Sequence, residues 1–255
     1  MITVGLLHTS AAHVPTFEAL LRRSGAAVAA RHVVDEALLA EAGAAGGVGP
    51  ALRARIAGRL AEAAAGATAV LCTCSTIGAV AEELSDRVGV PVLRADRPMA
   101  AAAVRAAAGR GGGVIGVVAT ARSTLGPTEA LLREVATAAG VRMIAEPAEG
   151  GEPIEARPGA LGGPGAGVDS GAPVVRVRMS LCAGAWELFG RGDFDGYRTA
   201  VADHLLRVEP AVDVFVLAQA SMAGAAEERR LSVPVFSAPR PAVAELIRIA
   251  EAVGS

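Results

Sequence analysis

An internal repeat is the feature that most constrains the fold of this 255-residue chain. The segment Gly5–Thr9 is echoed by Gly116–Thr120, and Glu18–Arg22 recurs as Glu129–Arg133. Two further blocks match in the same order. In the first, Val70-Leu71, Ser75 and Gly78 correspond to Val216-Leu217, Ser221 and Gly224. In the second, Val90–Val92 and Arg97-Pro98 correspond to Val233–Val235 and Arg240-Pro241. Matched blocks in one order indicate an internal duplication. The sequence therefore predicts two similar lobes that face each other across a cleft lined by equivalent loops.

Each lobe is predicted to be α/β, because short apolar segments alternate with helix-like segments along the whole chain. This alternation is typical of a mostly parallel sheet covered by helices. The predicted strands are Ile2–Leu7, Val28–Val34, Thr68–Cys72, Val90–Leu93, Val114–Val118, Val141–Ala145, Val174–Arg178, Val212–Leu217 and Val233–Phe236. The clearest predicted helices are Phe17–Arg23, Ala51–Ala65, Ala79–Arg87, Met99–Ala108, Thr128–Ala139, Tyr197–Arg207 and Pro241–Val253.

Charge and hydropathy limit the classes of partner. The 24 basic and 26 acidic residues are dispersed along the chain, which argues against nucleic acid or an anionic membrane as a partner. No apolar run reaches the roughly 18 residues that a membrane-spanning helix needs. The start of the chain carries no secretory pattern, so we expect a cytoplasmic protein. Three cysteines without metal-like spacing predict free thiols and no metal site.

The segment from Val70 to Gly78 is the strongest candidate for chemistry. An apolar run ends there at Cys74, and Ser75 or Thr76 follows where a helix is predicted to begin. Ligands of parallel sheets bind beyond the carboxyl ends of the strands. Free N–H groups at a helix start favour anions and lower the pKa of a thiol. Cys74 is therefore placed where a thiol can move a proton on a substrate that carries a carboxylate.

Two duplicated lobes with Cys74-Ser75-Thr76 after a buried strand resemble the aspartate/glutamate/hydantoin racemase superfamily over nearly the whole chain. The most specific segments are Leu71–Thr76, similar to that family's first cysteine motif, and Ile115–Ser123, similar to its glycine–threonine strand end. Val216–Met222 occupies the position of the second cysteine motif. The resemblance implies a cofactor-independent isomerase in which thiols from the two lobes flank the α-carbon of an amino acid or a related acid. One thiol removes the proton and the other returns it from the opposite face.

The chain departs from that family pattern in its second lobe. The repeat places Ala220 opposite Cys74, so the second thiol is missing, and the neighbouring Gln219 cannot act as a base. His8 stands where glutamate racemases carry an acidic residue, and Met222 stands where they carry a histidine. A single acid/base group delivers a proton to one face only. One-thiol relatives exist, among them arylmalonate decarboxylase, although that enzyme keeps the cysteine of the second lobe.

The resemblance also implies the division of the chain. The helices after Arg97-Pro98 and Arg240-Pro241 are expected to cross to the opposite lobe. The first lobe would then hold residues 1–97 together with about 241–255, and the second lobe would hold residues 98–240. Residues 148–173 are rich in Gly, Pro and Ala, and we interpret them as a flexible insertion in the second lobe. Assembly into a homo-oligomer is expected by analogy alone.

The predicted site combines one catalytic thiol with hydroxyl and amide donors. Cys74 is the expected proton donor or acceptor, with His8 or Cys182 as a second acid/base group. The expected substrate-binding residues are Thr9, Ser10, Ser75, Thr76, Thr120, Ser123, Gln219 and Ser221. The competing interpretations are that the hydroxyls only cap helices and that the cysteines only fill cores. The predicted ligand is a small carboxylic or amino acid, without a cofactor. A decarboxylase, a cis–trans isomerase that uses Cys74 and a non-catalytic binding protein remain alternatives.

Overall fold

The computed structural model describes residues 2–146 and 171–254. The strands are β1 (Ile2–His8), β2 (Val28–Val34), β3 (Ala69–Cys72), β4 (Val92–Arg94), β5 (Val114–Ala119), β6 (Arg142–Glu146), β7 (Val174–Leu181), β8 (Val214–Leu217) and β9 (Val235–Ser237). The helices are α1 (Val14–Arg23), α2 (Ala37–Ala45), α3 (Pro50–Ala64), α4 (Ser75–Glu83), α5 (Ser85–Val88), α6 (Arg97–Ala108), α7 (Leu125–Ala138), α8 (Ala185–Gly190), α9 (Phe194–Val208), α10 (Ala225–Glu228) and α11 (Pro239–Gly254). Among the helices within these ranges, none is long and apolar enough to cross a membrane.

The strands form two parallel sheets, one in each lobe. The first has the order β2-β1-β3-β4 and the second the order β6-β7-β5-β8-β9, and every strand pairing is parallel. The order β7-β5-β8-β9 repeats the order of the first sheet, and β6 is an additional edge strand. The central strands β3 and β8 are buried along their whole length, as strands covered on both faces must be. The predicted α/β fold with two duplicated lobes is confirmed.

Strand positions agree with the sequence analysis to within a few residues at each end. The helix predicted at Ala79–Arg87 instead begins at Ser75, because Cys74 is its extended N-cap residue. Helix α2, which is rich in Ala, is not among the clearest predicted helices. The insertion predicted at residues 148–173 lies outside the described residues except for its last three positions.

Two helices join the lobes through a shared core. Although α6 follows β4 of the first sheet, it packs on β5, β7, β8 and β9 of the second sheet. Conversely, α11 follows β9 and packs on β1, β3 and α1 of the first lobe. Buried side chains of both sheets, such as Leu6 and Val117, form one cluster with Met99 of α6 and Leu246 of α11. This interlocking fixes how the carboxyl ends of the two sheets are presented to each other.

The glycine that begins the first matched block allows close packing in both lobes. A Cβ atom on Gly5 would lie 2.3 Å from the carbonyl oxygen of Ala63 in α3. A Cβ atom on Gly116 would lie 2.7 Å from Cγ1 of Val212. Each glycine therefore lets a neighbouring segment approach the first strand of its lobe closely.

A buried ion pair fixes the start of α6 beneath the sheet edge. The Nε and Nη2 atoms of Arg94 donate to the two carboxylate oxygens of Asp96 over 2.7 and 2.9 Å. The side chains are only 2% and 1% exposed. Next to this pair, Arg97 bonds Glu82 of α4 and Glu134 of α7, and so links the two lobes.

Replacing Asp96 with alanine should lower the free energy of unfolding by about 3–5 kcal/mol. The reason is that the buried guanidinium of Arg94 would lose both of its hydrogen bonds to the Asp96 carboxylate. Denaturant titration measures the change. The double variant Arg94→Met/Asp96→Leu should be considerably more stable than Asp96→Ala, since it leaves no buried charge. Equal stability of Asp96→Ala and the wild type would contradict this role.

Candidate active site

The carboxyl ends of β1, β3 and β8 meet at a small cavity between the lobes. Its volume is about 30 Å³, which is room for about two water molecules. Both lobes contribute to its wall. The lining residues are Thr9, Ser10, His13, Leu39, Thr73, Cys74, Ser75, Thr76, Thr124, Trp186, Gln219, Ala220 and Ser221. The cavity is therefore walled mainly by hydroxyl groups, with one thiol, one amide and one imidazole.

Cys74 lies two residues beyond β3, at the start of α4. The residue is 8% exposed. Burial raises the pKa of the Cys74 thiol, whereas hydrogen bonds from the Thr9 hydroxyl and from the Thr76 and Ile77 N–H groups act to lower it. Those N–H groups belong to the first turn of α4, where helix N–H groups lack intrahelical partners. The thiol is protonated at rest, with donors in place for a thiolate formed during reaction.

Gln219 organises the opposite wall of the cavity. Its Oε1 atom accepts hydrogen bonds from the backbone N–H groups of Thr120 and Ala121, over 2.6 and 3.1 Å, and from the Thr120 hydroxyl over 2.9 Å. This links the end of β5 to the segment after β8. Thr120, predicted to bind the substrate, uses its hydroxyl in this internal bond and does not line the cavity.

Two serine hydroxyls of the cavity wall also hold protein groups together. Ser75 Oγ donates to the Ala218 carbonyl over 2.9 Å, which joins α4 of the first lobe to the end of β8 in the second. Ser221 Oγ lies 2.8 Å from the Tyr197 hydroxyl. Burial raises the pKa of Tyr197, so this phenol is neutral and can orient the serine.

The structure places His8 and Cys182, the two candidates for a second acid/base group, outside the cavity lining. His8 is fully buried, with Nε2 2.9 Å from His32 Nδ1 and Nδ1 3.0 Å from the Thr73 hydroxyl. Burial, followed by the charges of His32 and His13, lowers the pKa of His8 to about 3. Cys182 packs in the outer core of the second lobe, and its sulfur contacts the Ala200 carbonyl at 3.6 Å.

Six of the eight predicted binding residues line the cavity, and Thr120 and Ser123 do not. The lining members are Thr9, Ser10, Ser75, Thr76, Gln219 and Ser221. A 3-10 turn at Arg122–Thr124 buries Thr124 and directs Ser123 to an adjoining pocket. Thr124 of this turn therefore lines the Cys74 cavity in place of Ser123, because tertiary packing sets the direction of a single turn.

Sequence reasoning missed several residues of the wall, chiefly His13, Leu39 and Trp186. Trp186 and Phe189 are three residues apart on α8, a spacing that by itself favours core residues. Instead their rings stack with centroids 5.2 Å apart and line an adjoining pocket of about 560 Å³, together with Phe194 and Leu39. The chain has only seven aromatic residues, so the grouping of Trp186, Phe189, Phe194 and Tyr197 was a usable signal.

A larger cavity of about 910 Å³ lies elsewhere, along β4, α6 and α11. Two of its three arginines, Arg94 and Arg97, are paired with carboxylates, and Arg105 is the third; the cavity shares no lining residue with the Cys74 cavity. Size alone therefore does not identify the chemical site. Across the described ranges 2–146 and 171–254, no group of three or more His, Cys, Asp or Glu side chains is arranged to hold a metal ion.

Comparison with known proteins identifies the fold. No protein-family model and no curated protein sequence matches the chain. Among solved structures, glutamate racemase from Bacillus anthracis matches with a TM-score of 0.62 and 17% identity, over 99% of this chain and 83% of that one. Allantoin racemase from Klebsiella pneumoniae matches with a TM-score of 0.57 and 16% identity, over 100% and 89% of the respective chains. A glycine-to-cysteine mutant of arylmalonate decarboxylase matches with a TM-score of 0.50 and 16% identity, over 98% and 93%.

These matches show that the chain has the fold of these two racemases and of arylmalonate decarboxylase, as the resemblance in sequence implied. Identities this low do not transfer an activity. The function therefore has to be argued from the cavity itself.

Proposed function

We propose that the protein is a cofactor-independent isomerase that moves a proton at the α-carbon of a small carboxylic or amino acid, with Cys74 as the acid/base group. The observation that supports this most strongly is the thiol at the N-terminus of α4 in a cavity lined by hydroxyl groups from both lobes. Removal of an α-proton produces an enediolate-like anion. Without a cofactor, preorganised donors must stabilise that anion.

The donors around Cys74 suit such an anion. The hydroxyls of Thr9, Ser10 and Thr76 line the cavity from the first lobe, and Ser221 lines it from the second. The first turn of α4 adds a partial positive charge that favours a carboxylate. The substrate carboxylate would therefore bind near the start of α4, with its α-carbon next to the sulfur.

The substituent on the α-carbon is proposed to be apolar and bulky. Thr9, Ser10, Leu39 and Trp186 line both the Cys74 cavity and the 560 Å³ pocket, so the two spaces adjoin. That pocket adds the rings of Phe189 and Phe194 and residues 40, 43 and 44 of α2. Among the described residues of the cavity wall, none is an arginine that would pair with a second carboxylate. An aromatic or branched acid therefore fits better than aspartate or glutamate.

Binding requires the cavity to enlarge. A space for about two waters is smaller than an amino acid. The hydrogen bond between Ser75 and the Ala218 carbonyl is one contact between the lobes that would have to yield or shift. Return of the lobes to the closed arrangement around the bound substrate would keep bulk water from a reactive carbanion.

Decarboxylation followed by protonation of one face of the α-carbon is the second candidate function. It is favoured by the presence of Ala220, rather than a second cysteine, in the wall that also holds Cys74. In that reaction a malonate would lose carbon dioxide, and Cys74 would protonate the resulting anion on one face.

The test uses the wild-type protein with enantiopure phenylglycine and glutamate in D2O, followed by NMR and chiral chromatography. We expect α-deuterium to enter phenylglycine faster than glutamate, with loss of optical purity. Release of carbon dioxide from phenylmalonate without α-exchange would establish the decarboxylase instead. Binding of these acids by calorimetry without turnover of any of them would overturn the proposal in favour of a binding protein.

A further inference from the structure

The wall of the Cys74 cavity holds a second titratable group, which has no assigned role. Among its described lining residues, Cys74 and His13 are the only side chains whose ordinary pKa lies within about two units of neutral pH. All the other members are hydroxyls, an amide or apolar side chains. A cavity this small brings its lining groups within the span of one small molecule.

His13 lies where the missing thiol would be expected. It ends the 3-10 turn Ala11–His13, which packs against the turn Ala220–Met222 of the second lobe. His13 and Ala220 also line a further pocket of about 590 Å³ together. The imidazole thus occupies the neighbourhood of the position that the repeat pairs with Cys74.

The His13 ring packs near the ring of Phe189, with centroids 6.4 Å apart, but this contact does not satisfy its ring nitrogens. It is the N-cap residue of α1, yet its side chain makes no capping hydrogen bond. Its Nδ1 atom is buried and has no hydrogen-bond partner among the described residues. A buried polar atom without a partner costs free energy, and a ligand in the cavity could supply that partner.

His13 is neutral when the cavity is empty. Burial lowers the pKa of His13 to about 4. The neighbouring charged or titratable groups are His8, Glu36, which accepts from the Ala11 N–H over 3.0 Å, and Arg198, which lines the 590 Å³ pocket. A neutral imidazole is a competent general base.

We propose that His13 is the second proton-transfer group, acting on the face of the α-carbon opposite to Cys74. This inference rests on the proposed function of Cys74, and it makes the reaction a racemisation of an α-substituted acid. A histidine from the first lobe then takes the role that a second-lobe cysteine would have at position 220.

The proton count balances in both directions. With a thiol and a neutral imidazole, Nδ1 or Nε2 of His13 takes the α-proton while the Cys74 thiol gives its proton to the other face. This leaves a thiolate and an imidazolium. In the reverse turnover the thiolate removes the α-proton and the imidazolium returns one. No electrons leave the system, and no oxidant or further reactant is needed.

The experiment compares the wild type with His13→Gln, using both enantiomers of phenylglycine in D2O. Loss of a general acid/base group should slow racemisation by about 10²- to 10⁴-fold. Exchange should persist for one enantiomer, the one whose α-proton faces Cys74, with its configuration retained. His204→Gln is the matched control. His204 is also a buried histidine with its pKa lowered to about 4, mainly by burial, but it lies on α9 beside Ser180, outside the cavity lining.

Racemisation by His13→Gln at the wild-type rate would overturn the role of His13 while leaving that of Cys74 intact. Absence of exchange in the wild type would instead overturn the proposed function together with this inference.

Discussion

Replacing Cys74 with alanine should slow racemisation of phenylglycine by about 10²- to 10⁴-fold, the usual contribution of a positioned general acid or base. The thiol is the only sulfur in the described cavity wall, and the hydroxyls around it are too weakly acidic to substitute for it. Affinity for the acid should change little, because the hydroxyls and the first turn of α4 remain. Chiral chromatography gives the rate, and calorimetry gives the affinity.

Cys182→Ala is the matched control for this substitution. Its sulfur is also buried, and burial likewise raises its pKa, but it contacts the Ala200 carbonyl in the outer core of the second lobe. We expect this variant to racemise at nearly the wild-type rate. A Cys74→Ala protein that keeps full activity would refute the role of the thiol. Loss of activity in Cys182→Ala, with the fold intact, would indicate that Cys182 rather than His13 is the second acid/base group.

Introducing a thiol at position 220 should restore racemisation to the inactive His13→Gln protein. The double variant His13→Gln/Ala220→Cys should exceed His13→Gln by about 10²- to 10⁴-fold. The physical reason is that Ala220 lines the same cavity as Cys74 and packs beside the turn that carries His13. A thiol at position 220 would reach the face of the α-carbon on which the His13 imidazole is proposed to act.

Ala223→Cys in the same His13→Gln background controls for the mere presence of an extra thiol. Ala223 lines the 590 Å³ pocket and not the Cys74 cavity, so no gain is expected. Equal recovery from both cysteines would contradict a defined position opposite Cys74. No recovery from Ala220→Cys, in a folded protein that still exchanges one enantiomer, would show that position 220 does not face the reacting carbon.

Much of the architecture could be predicted from sequence, because duplication and strand–helix alternation are properties of the chain itself. The repeated glycines Gly5 and Gly116 each permit a close approach, so the same residue type has the same packing role in both copies. Cys74 was found because a strand that ends at a thiol before a helix start is a local pattern. These signals require no knowledge of how distant segments pack.

The remaining features depend on packing between lobes. His8 is the last residue of β1, but its side chain points inward and contacts His32 and Thr73. His13 carries no motif, and only the contact between two short turns brings it to the cavity. Trp186 has helical spacing that equally suits a core residue, yet it lines the cavity. Spacing along a chain does not reveal which side of a turn faces the other lobe.

The most direct test of the central claim is the set of enantiomer-resolved exchange rates of phenylglycine in D2O for three proteins. In the wild type, we predict that both enantiomers exchange. In Cys74→Ala and His13→Gln, we predict that opposite enantiomers lose exchange, because each variant removes the group on one face. Loss of the same enantiomer in both variants, or undiminished exchange of both enantiomers in Cys74→Ala, would contradict the assignment of Cys74 to one face of the reacting carbon.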